Sequence, residues 1–415
     1  MRQLLHCFLL TLCLLSSVNA IKPSPSITSN FEIAESVPLE TQYGQSGIRH
    51  TQQVWLDMIN QARRCIDIGA FYMNNKPGQA LEPVLQAIIK AAKRGVKVRI
   101  VIERSMRSQS EAAVNLLKNI PNIDIRYLPM HRIDGGILHA KYMIVDAENC
   151  FVGSQNFDWK SLQHVHEIGL RVRSALLAKT ILRVFNMDWA LCKHPNFATR
   201  NRFIYAKSAF NVSAQRPAQV SYHGNTLLIH PAFSPHNLLP TGLDWEQTQL
   251  VNLLHSAHRQ VLLQVLQYSP VKSWGQRGYW GALDNAIRQA AARGVHVKFI
   301  VSNWNLNKPA IRYLKSLSLV PNVRIKFSVI PEYSKGFISY ARVEHAKYAV
   351  VDNDLIWVGT GNWEWSYFHD TRNVALIVQG TEPNTQLSQI FWHDWNGPYT
   401  HYLQVDQKYH APKTH

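Results

Sequence analysis

The sequence predicts an α/β protein built from two similar halves, and two observations support this. A short motif, the residues 139–146 with His, Lys and Asp at fixed places, recurs with the same spacing at residues 345–352. In addition, each half alternates helix-type and strand-type hydrophobic patterns in the same order. A duplicated α/β unit is the simplest explanation of both observations.

In the first half, apolar periodicity predicts a helix over residues 54–64 and a strand over 65–72. A second helix is predicted over residues 81–94, ending at Gly95, because glycine commonly terminates helices. Residues 96–102 alternate as a strand does. This order is a β-α-β unit, so the two strands are expected to run parallel.

The second half repeats the plan, with predicted helices over residues 250–259 and 282–293, the latter ending at Gly294. Predicted strands cover residues 261–268 and 295–301. We therefore expect two pseudo-symmetric repeats, each a mixed β-sheet flanked by helices.

The remaining segments complete the predicted organisation of the chain. Arg2 and the apolar run that follows it predict a signal peptide over residues 1–20. The other predicted boundaries are a loosely ordered N-terminal arm at 21–47, a first repeat at 48–194, a crossover linker at 195–248, a second repeat at 249–398 and a C-terminal tail at 399–415. Residues 227–229 of the linker could form a short strand, and the tail is expected to be mobile from Gln407.

Composition and charge narrow the functional classes. The 415 residues are 46% apolar and 17% charged, which is typical of a globular protein, and the net charge is +17. Such a surplus favours polyanionic partners, either nucleic acid or an anionic membrane surface. The predicted mature chain retains Cys65, Cys150 and Cys192, an odd number that allows at most one intramolecular disulfide. Cys65 and Cys150 lie in strand-like apolar runs, so buried thiols are expected there rather than a disulfide.

The repeated motif places basic groups on a buried strand. Because side chains two apart on a strand share a face, His139 and Lys141 point the same way, as do His345 and Lys347. Positive charge on one face of an apolar strand requires an anion.

At this point the pattern H-x-K-x(4)-D-x(6)-G-[ST]-x-N, present twice, resembles the phospholipase D superfamily of phosphodiesterases. Residues 153–162 and 391–401 are further similar to its animal lysosomal branch, phospholipases D three and four. That branch acts as 5′-exonucleases on single-stranded nucleic acid. The resemblance covers both halves of the chain.

The resemblance implies that the two motifs face each other across a pseudo-two-fold axis and form the active site at the interface of the repeats. One histidine attacks phosphorus to give a phosphohistidine, and the other protonates the leaving group and then activates water. Lys141 and Lys347 neutralise the phosphate oxygens, so no metal or other cofactor is expected.

One difference between the repeats suggests which histidine does what. Glu167 follows the first motif, and Asn373 occupies the equivalent place after the second. The superfamily commonly has an acidic residue here that hydrogen-bonds the motif histidine. We therefore expect Glu167 to support His139 as the nucleophile, with His345 as the general acid.

Further polar residues near the motifs have two possible roles. Ser154, Asn156, Thr360 and Asn362 are expected to line the phosphate site, with turn formation as the alternative. The strand-end carboxylates, Asp146 and Asp352, are expected to be structural.

Other candidates for chemistry have ordinary structural alternatives. His164 and His166 could suggest a metal, although packing or a solvated face is favoured, and no metal site is predicted. Aromatic residues of the second half are predicted either to stack bases or to pack in the core; they are Trp274, Tyr279, Trp280 and Trp304.

The sequence thus predicts a metal-independent phosphodiesterase, a 5′-exonuclease of single-stranded DNA or RNA. The alternative is a phospholipase D or transphosphatidylase that acts on phospholipid head groups. A polyanion-binding protein without activity is argued against by two intact motifs. No transmembrane stretch follows Ala20, which departs from the anchored animal branch, so a secreted or periplasmic protein is expected, or one in a lysosome-like compartment in a eukaryote. Both motifs lie in one chain, so a single subunit should suffice.

Overall fold

The computed structural model describes residues 29–208, 210–272 and 277–415. The predicted signal peptide, the first part of the predicted arm and Trp274 lie outside the described residues. Two large mixed β-sheets, one for each repeat, dominate the described part of the chain. The predicted fold class, an α/β protein with two pseudo-symmetric phospholipase D-type repeats, is confirmed.

The first sheet contains eight of the described strands, in the order β2-β1-β10-β8-β7-β3-β5-β6. The strands of this half are β1 (Phe31–Ser36), β2 (Arg49–His50), β3 (Cys65–Ala70), β4 (Met73–Asn74), β5 (Lys97–Glu103), β6 (Ile123–Leu128), β7 (Tyr142–Val145), β8 (Asn149–Gly153), β9 (Phe157–Asp158) and β10 (Glu167–Arg173). Its helices are α1 (Thr51–Gln61), α2 (Leu81–Lys93), α3 (Glu111–Leu117), α4 (Met130–Ile133), α5 (Trp159–Gln163), α6 (Ala175–Leu191) and α7 (Phe197–Ile204). The predicted parallel pairing of β3 with β5 is confirmed.

The second half follows the same plan. Its strands are β11 (Ala218–Tyr222), β12 (Asn225–Ser234), β13 (Asp244–Trp245), β14 (Gln260–Val265), β15 (Tyr268–Ser269), β16 (His296–Ser302), β17 (Val323–Ser328), β18 (Lys347–Val351), β19 (Leu355–Gly359), β20 (Trp363–Glu364), β21 (Asn373–Gln379) and β22 (Thr400–Tyr402). Its helices are α8 (Glu246–His255), α9 (Ala282–Ala292), α10 (Ala310–Ser318), α11 (Trp365–His369) and α12 (Thr381–Asn396). Short 3₁₀ turns cover Arg104–Met106, His236–Leu238 and Asn303–Leu306. Among the described strands, the main sheet runs β11-β12-β21-β19-β18-β14-β16-β17-β22, and β14 pairs with β16 in parallel.

The two sheets share one central core. Buried side chains of β7 and β10, such as Tyr142 and Ile168, belong to the same cluster as Tyr348 of β18 and Leu376 of β21. Helices α6 and α12 pack into this layer, whereas α1 and α2 cover the outer face of the first sheet and α8 and α9 that of the second. Burial of this shared apolar surface holds the repeats together, and with them the two motifs.

Two segments outside the predicted repeats contribute strands next to one edge of each sheet. Strand β1, from the predicted loose arm, is fully buried and pairs antiparallel with β10. Strand β12, from the predicted linker, pairs antiparallel with β21 in the corresponding place. The expectation of a loosely ordered arm was therefore wrong for β1. Strand β12 contains the short strand suggested for residues 227–229 and extends it to ten residues. Each of these strands lies beside the strand that follows its motif.

The chain after β22 also differs from the prediction of a mobile tail. Lys315 donates from Nζ to the carbonyl of Gln407 over 2.6 Å, and its ammonium lies over the ring of Tyr409. Tyr409 also meets Phe327 edge to face. The tail therefore packs against the second repeat.

The predicted helix-ending glycines are confirmed. Gly95 and Gly294 have φ values of +95° and +93°, a left-handed conformation that residues with a Cβ rarely adopt. None of the helices within the described ranges is both long enough and apolar enough to cross a membrane.

Candidate active site

The two motifs meet where each repeat contributes backbone to the other. The N–H of His139 donates to the carbonyl of Arg372 over 2.9 Å, and the N–H of His345 donates to the carbonyl of His166 over 2.9 Å. Each motif thus enters its strand through a parallel bridge to the opposite repeat. Both histidines line one cavity, so the structure brings the two predicted halves of the site together.

The two lysines are buried and equivalent. Lys141 donates from Nζ to the carbonyl of His139 over 2.5 Å, and Lys347 donates to the carbonyl of His345 over 2.6 Å. Burial lowers the pKa of Lys347 to about 7, and burial together with the Lys347 charge lowers the pKa of Lys141. A bound anion would oppose both effects, so phosphate binding should favour the charged lysines.

Each histidine is supported by the opposite repeat, which corrects the predicted partner of Glu167. The carboxylate Oε1 of Glu167 contacts Nδ1 of His345, while Oδ1 of Asn373 lies 3.2 Å from Nδ1 of His139. The expectation that Glu167 supports His139 was therefore wrong. Equivalent positions are exchanged between the repeats because each motif pairs with the strand that follows the other motif.

Glu167 and His345 form a buried pair whose pKa shifts are opposite. Burial raises the pKa of Glu167 to about 8, although Ser161 and the two lysines oppose the shift. Burial, followed by the charges of Lys347 and Lys141, lowers the pKa of His345 well below its usual range. The pair therefore retains one proton to about pH 8. Because that proton lies between the Glu167 carboxyl and Nδ1 of His345, the other ring nitrogen, Nε2, carries a hydrogen and is a donor.

The amide beside His139 fixes the opposite arrangement. Asn373 donates from Nδ2 to the carbonyl of Tyr367 over 2.7 Å, and its Oδ1 accepts from the hydroxyl of Thr360 over 3.0 Å. Oδ1 can therefore only accept from His139, so Nδ1 carries the proton and the Nε2 lone pair is free. Burial and the charges of the two motif lysines hold the pKa of His139 well below its usual range.

Close approach of β8 and β10 positions Glu167. A Cβ added to Gly153 would lie 2.6 Å from the Cα of Gly169 and 2.9 Å from the carbonyl oxygen of Ile168. Both neighbours are backbone atoms, so only glycine fits at this place. The hydroxyl of Ser161 also hydrogen-bonds Oε2 of Glu167 and holds the carboxylate.

The hydroxyls predicted to line the phosphate site are engaged elsewhere. Ser154 donates from Oγ to the carbonyl of Ile168 and accepts from the N–H of the same residue, over 3.3 and 3.2 Å. Thr360 accepts from the N–H of Val374 over 3.1 Å while it donates to Asn373. For both hydroxyls this geometry favours the structural alternative.

The side-chain oxygens of the two motif asparagines differ from these hydroxyls in their hydrogen bonding. Asn156 and Asn362 are buried, and within the described part of the chain no hydrogen-bond partner lies near Oδ1 of either. Rotation of such an amide by half a turn would present N–H in place of the oxygen. Their predicted role as phosphate ligands stays a prediction.

Asp146 and Asp352 lie outside the cavity and tie strands together. The Asp146 carboxylate accepts from the backbone N–H groups of Arg63, Arg64 and Cys65 over 2.7 to 2.9 Å. The Asp352 carboxylate accepts from three successive N–H groups in the same way, before β14. This geometry supports the structural role expected for both residues.

The cavity between the histidines has a volume of about 380 Å³. The motif pattern does not identify several of its aromatic and basic neighbours. The ring centroids of Phe71 and Tyr367 lie 5.1 and 4.9 Å from that of His139. Of the predicted aromatic residues, Trp304 lines the cavity and Trp280 is in the core of the second repeat. Other lining residues that the sequence did not identify are Tyr72, Asn74, Met106, Gln109, Asp158, Lys160, Tyr340 and Val343.

His166 lies behind the site in a buried charged cluster. Its Nδ1 is 2.7 Å from Oε2 of Glu344, and its Nε2 is 2.9 Å from Oε1 of Glu35. Three of the residues here, His166, Glu344 and Asp394, have ligand-type atoms that lie within 4.8 Å of one another. Burial lowers the pKa of His166, but the nearby carboxylates outweigh it and raise the pKa well above its usual range. Both ring nitrogens face carboxylates, which favours an imidazolium rather than a metal ligand.

Comparison with known proteins places this geometry in a family. The family model described as cardiolipin synthase, PLD-like domain, matches residues 55–189 and 250–395, one match for each repeat. The chain belongs to this family, within the phospholipase D superfamily, and is a phosphodiesterase.

Similar proteins cover nearly the whole chain. The 5′-3′ exonuclease PLD3 of Xenopus laevis is 30% identical over 94% of this chain and 88% of its own length. Phospholipase D Z of Dictyostelium discoideum is also 30% identical, over 91% of this chain and 92% of its own length. The solved structure of phosphatidylserine synthase from Haemophilus influenzae is 14% identical, covers 86% of this chain and 85% of its own, and superposes with a TM-score of 0.59, which supports the fold alone.

Proposed function

We propose that the chain hydrolyses phosphodiesters without a metal ion, through a phosphohistidine, and that it is a 5′-exonuclease of single-stranded DNA or RNA. The observation that carries the proposal is the meeting of His139 and His345 in one cavity, each supported by the opposite repeat. The neutral amide of Asn373 lies beside His139, whereas the carboxyl group of Glu167 lies beside His345. This difference suits the two histidines to different roles.

In the first step, the Nε2 lone pair of His139 attacks phosphorus. The bond from phosphorus to the leaving oxygen breaks, and that oxygen takes the proton from Nε2 of His345. Lys141 and Lys347 stabilise the charge on the non-bridging oxygens, the role that a metal ion has in other phosphodiesterases. The assignment of His139 as nucleophile thus stands on the free Nε2 lone pair and not on a carboxylate partner.

In the second step, His345 acts as a base. Its Nε2, now unprotonated, accepts a proton from water, and the water oxygen attacks phosphorus as the bond to His139 breaks. The product phosphate leaves and the Glu167–His345 pair again holds one proton. The same pair can therefore serve as acid and then as base.

Several observations favour a nucleic-acid strand as substrate. Relatives that span most of the chain are named as 5′-3′ exonucleases, and the net charge of +17 suits a polyanion. Aromatic side chains line the cavity beside the histidines, and bases stack on such groups.

A phospholipid head group is the second candidate, because other relatives that span most of the chain are named as phospholipases D. The same histidines and lysines would act on a lipid phosphodiester. The two candidates differ in the group that must enter the cavity, which is the end of a nucleic-acid strand in one case and a phospholipid head group in the other.

The test uses purified protein with EDTA at pH 5 and 7.5, a 5′-hydroxyl single-stranded oligonucleotide, and phosphatidylcholine vesicles. We expect progressive shortening from the 5′ end, with no shortening by a His139→Ala control. Choline release with an intact oligonucleotide would establish the lipid enzyme instead. Loss of activity on addition of EDTA would refute the metal-independent mechanism.

We also propose that the chain is exported through its N-terminal segment, as residues 1–20 suggest. Expression of the full chain in a secreting cell, followed by N-terminal sequencing of the product, tests this. A mature N-terminus near Ile21 is expected, and a retained Met1 would contradict the proposal.

A further inference from the structure

Two aromatic side chains, Trp304 and Tyr340, line the catalytic cavity and are called the aromatic wall below. Trp304, which follows β16, and Tyr340, in the loop before the second motif, have ring centroids 6.2 Å apart at an angle of 76°. Tyr340 is 52% exposed. From the first repeat, the ammonium of Lys160 lies 5.8 Å from the Tyr340 ring centroid and donates to the carbonyl of Ser339 over 3.2 Å.

A second cavity adjoins the same wall. It has a volume of about 280 Å³, and both Trp304 and Tyr340 line it as they line the catalytic cavity. Its other lining residues are Gln267, Asn307, Ala411, Pro412 and Thr414. Gln267 accepts from Nδ2 of Asn362 over 3.1 Å, so the second cavity is linked directly to the second motif.

The C-terminal tail holds Tyr340 in place. The N–H of Tyr340 donates to the carbonyl of Thr414 over 2.8 Å, and the ring of His415 stacks on the Tyr340 ring at 5.8 Å and 16°. Tyr340 has a φ of +54°, which is costly for a bulky residue and persists only where neighbours enforce it. The tail contacts supply that support, so they determine where the ring lies.

We infer that Trp304 and Tyr340 form a base-stacking platform that separates two nucleotide subsites, with the tail as one wall of the second. The scissile phosphate lies at the histidines, and the base of the neighbouring nucleotide stacks on Tyr340 in the 280 Å³ cavity. This inference rests on the proposed function, since a lipid head group carries no base. It gives the tail, residues 411–415, a positioning role in substrate binding.

The experiment compares Tyr340→Ala, Tyr340→Phe and a chain lacking residues 411–415 with the unaltered protein. Each is assayed on oligonucleotides with an abasic site at the first, second or third position from the 5′ end. Methyl p-nitrophenyl phosphate, which has the reactive bond but no base, reports on the histidines alone. Tyr205→Ala serves as a control, because Tyr205 is exposed and lines neither cavity.

We expect Tyr340→Ala to raise KM for the intact oligonucleotide about tenfold, the scale of one lost base stack, with little change in kcat. Tyr340→Phe and Tyr205→Ala should behave as the unaltered protein, and removal of 411–415 should reproduce the Tyr340→Ala defect. An abasic site should raise KM in the unaltered protein at one position, and Tyr340→Ala should abolish that sensitivity. Hydrolysis of the small diester, which carries no base to stack, should fall much less than cleavage of the oligonucleotide.

Two outcomes would overturn the inference, and they are distinguishable. If the unaltered protein cuts the oligonucleotide and Tyr340→Ala retains its full abasic sensitivity, the platform is absent although the nuclease proposal survives. If the unaltered protein hydrolyses the small diester but leaves the oligonucleotide intact, the proposed function itself fails and the inference fails with it.

Discussion

Replacement of Glu167 by Gln tests the exchanged support of the two histidines. Gln keeps an oxygen that can accept from Nδ1 of His345 and removes only the negative charge. Because Gln can neither share the proton that the Glu167–His345 pair holds nor stabilise an imidazolium by its charge, the pH at which His345 loses its transferable proton should fall. His345 must be protonated to act as general acid, so the alkaline limb of the pH–rate profile should move to lower pH.

The magnitude follows from the contact of Glu167 Oε1 with His345 Nδ1 inside the buried site. An opposite charge at such a distance shifts a pKa by about 1 to 3 units, and each unit changes the protonated fraction about tenfold. We therefore expect kcat at pH 7.5 to fall by about 10- to 1000-fold, with a smaller loss at pH 5.

The assay is the initial rate on methyl p-nitrophenyl phosphate and on an oligonucleotide between pH 4.5 and 9. Asn373→Asp is the matched control, because it adds a carboxylate beside His139 and should raise its pKa. That variant should move the acidic limb to higher pH, since His139 must be unprotonated to attack. If Glu167→Gln moved the acidic limb instead, the roles of the two histidines would be reversed.

Three further predictions concern stability and reactivity. Asp146→Ala and Asp352→Ala should each lower the free energy of unfolding, measured in urea, by about 3 kcal/mol. The reason is that each variant loses three hydrogen bonds from backbone N–H groups to a carboxylate. A loss below about 1 kcal/mol would contradict the structural role. His166 has a folded pKa raised above its unfolded value, so its contribution is complete below about pH 6.5 and is lost as pH rises through the folded pKa. The difference in Tm between the unaltered protein and His166→Gln should therefore shrink as pH rises from 6.5 to 9, and a constant or growing difference would refute this. Burial raises the pKa of Cys150 to about 12, so iodoacetamide at pH 8 should leave this thiol unmodified until urea unfolds the chain, and mass spectrometry would detect any labelling of the native protein.

Strongly periodic elements were predicted well from the sequence. Strand β5 at Lys97–Glu103 lies within one residue of the predicted 96–102, and helix α2 at Leu81–Lys93 ends one residue before the predicted limit. Their hydrophobic patterns and terminating glycines are local signals, which a sequence displays directly. Strand β1 at Phe31–Ser36 has a weaker pattern beside a Pro- and Ser-rich stretch, and only its pairing with β10 makes it a strand.

The active site divides in the same way. His139, Lys141, His345 and Lys347 were singled out by their period-two spacing and its recurrence. Strands β7 and β18 begin only at Tyr142 and Lys347, so the expectation that each pair lies on a strand was wrong for His139, Lys141 and His345. The histidine that Glu167 contacts could not be predicted. Spacing within one repeat does not show whether Glu167 meets the histidine of its own repeat or that of the opposite repeat. Comparison of the two repeats could identify the position as important, but only the packed sheets could assign it to His345.

The same limitation applies to the surroundings of the site. Tyr340 lies in an irregular loop, and its contact with Thr414 joins segments that no periodicity connects. His166 likewise meets Glu35 and Glu344 from distant parts of the chain. Local sequence patterns do not predict tertiary contacts between distant segments, and in this protein such contacts surround the cavity.

The central claim, that His139 is the nucleophile and His345 the acid and then the base, is tested most directly by a burst experiment. Methyl p-nitrophenyl phosphate has a leaving group that needs no proton, so His345→Ala should still form the phosphohistidine but should fail to activate water. We predict a burst of one p-nitrophenolate per His345→Ala molecule, with the methylphosphoryl group on His139 by peptide mass spectrometry, and no burst from His139→Ala. A burst from His139→Ala, with the adduct on His345, would contradict the account.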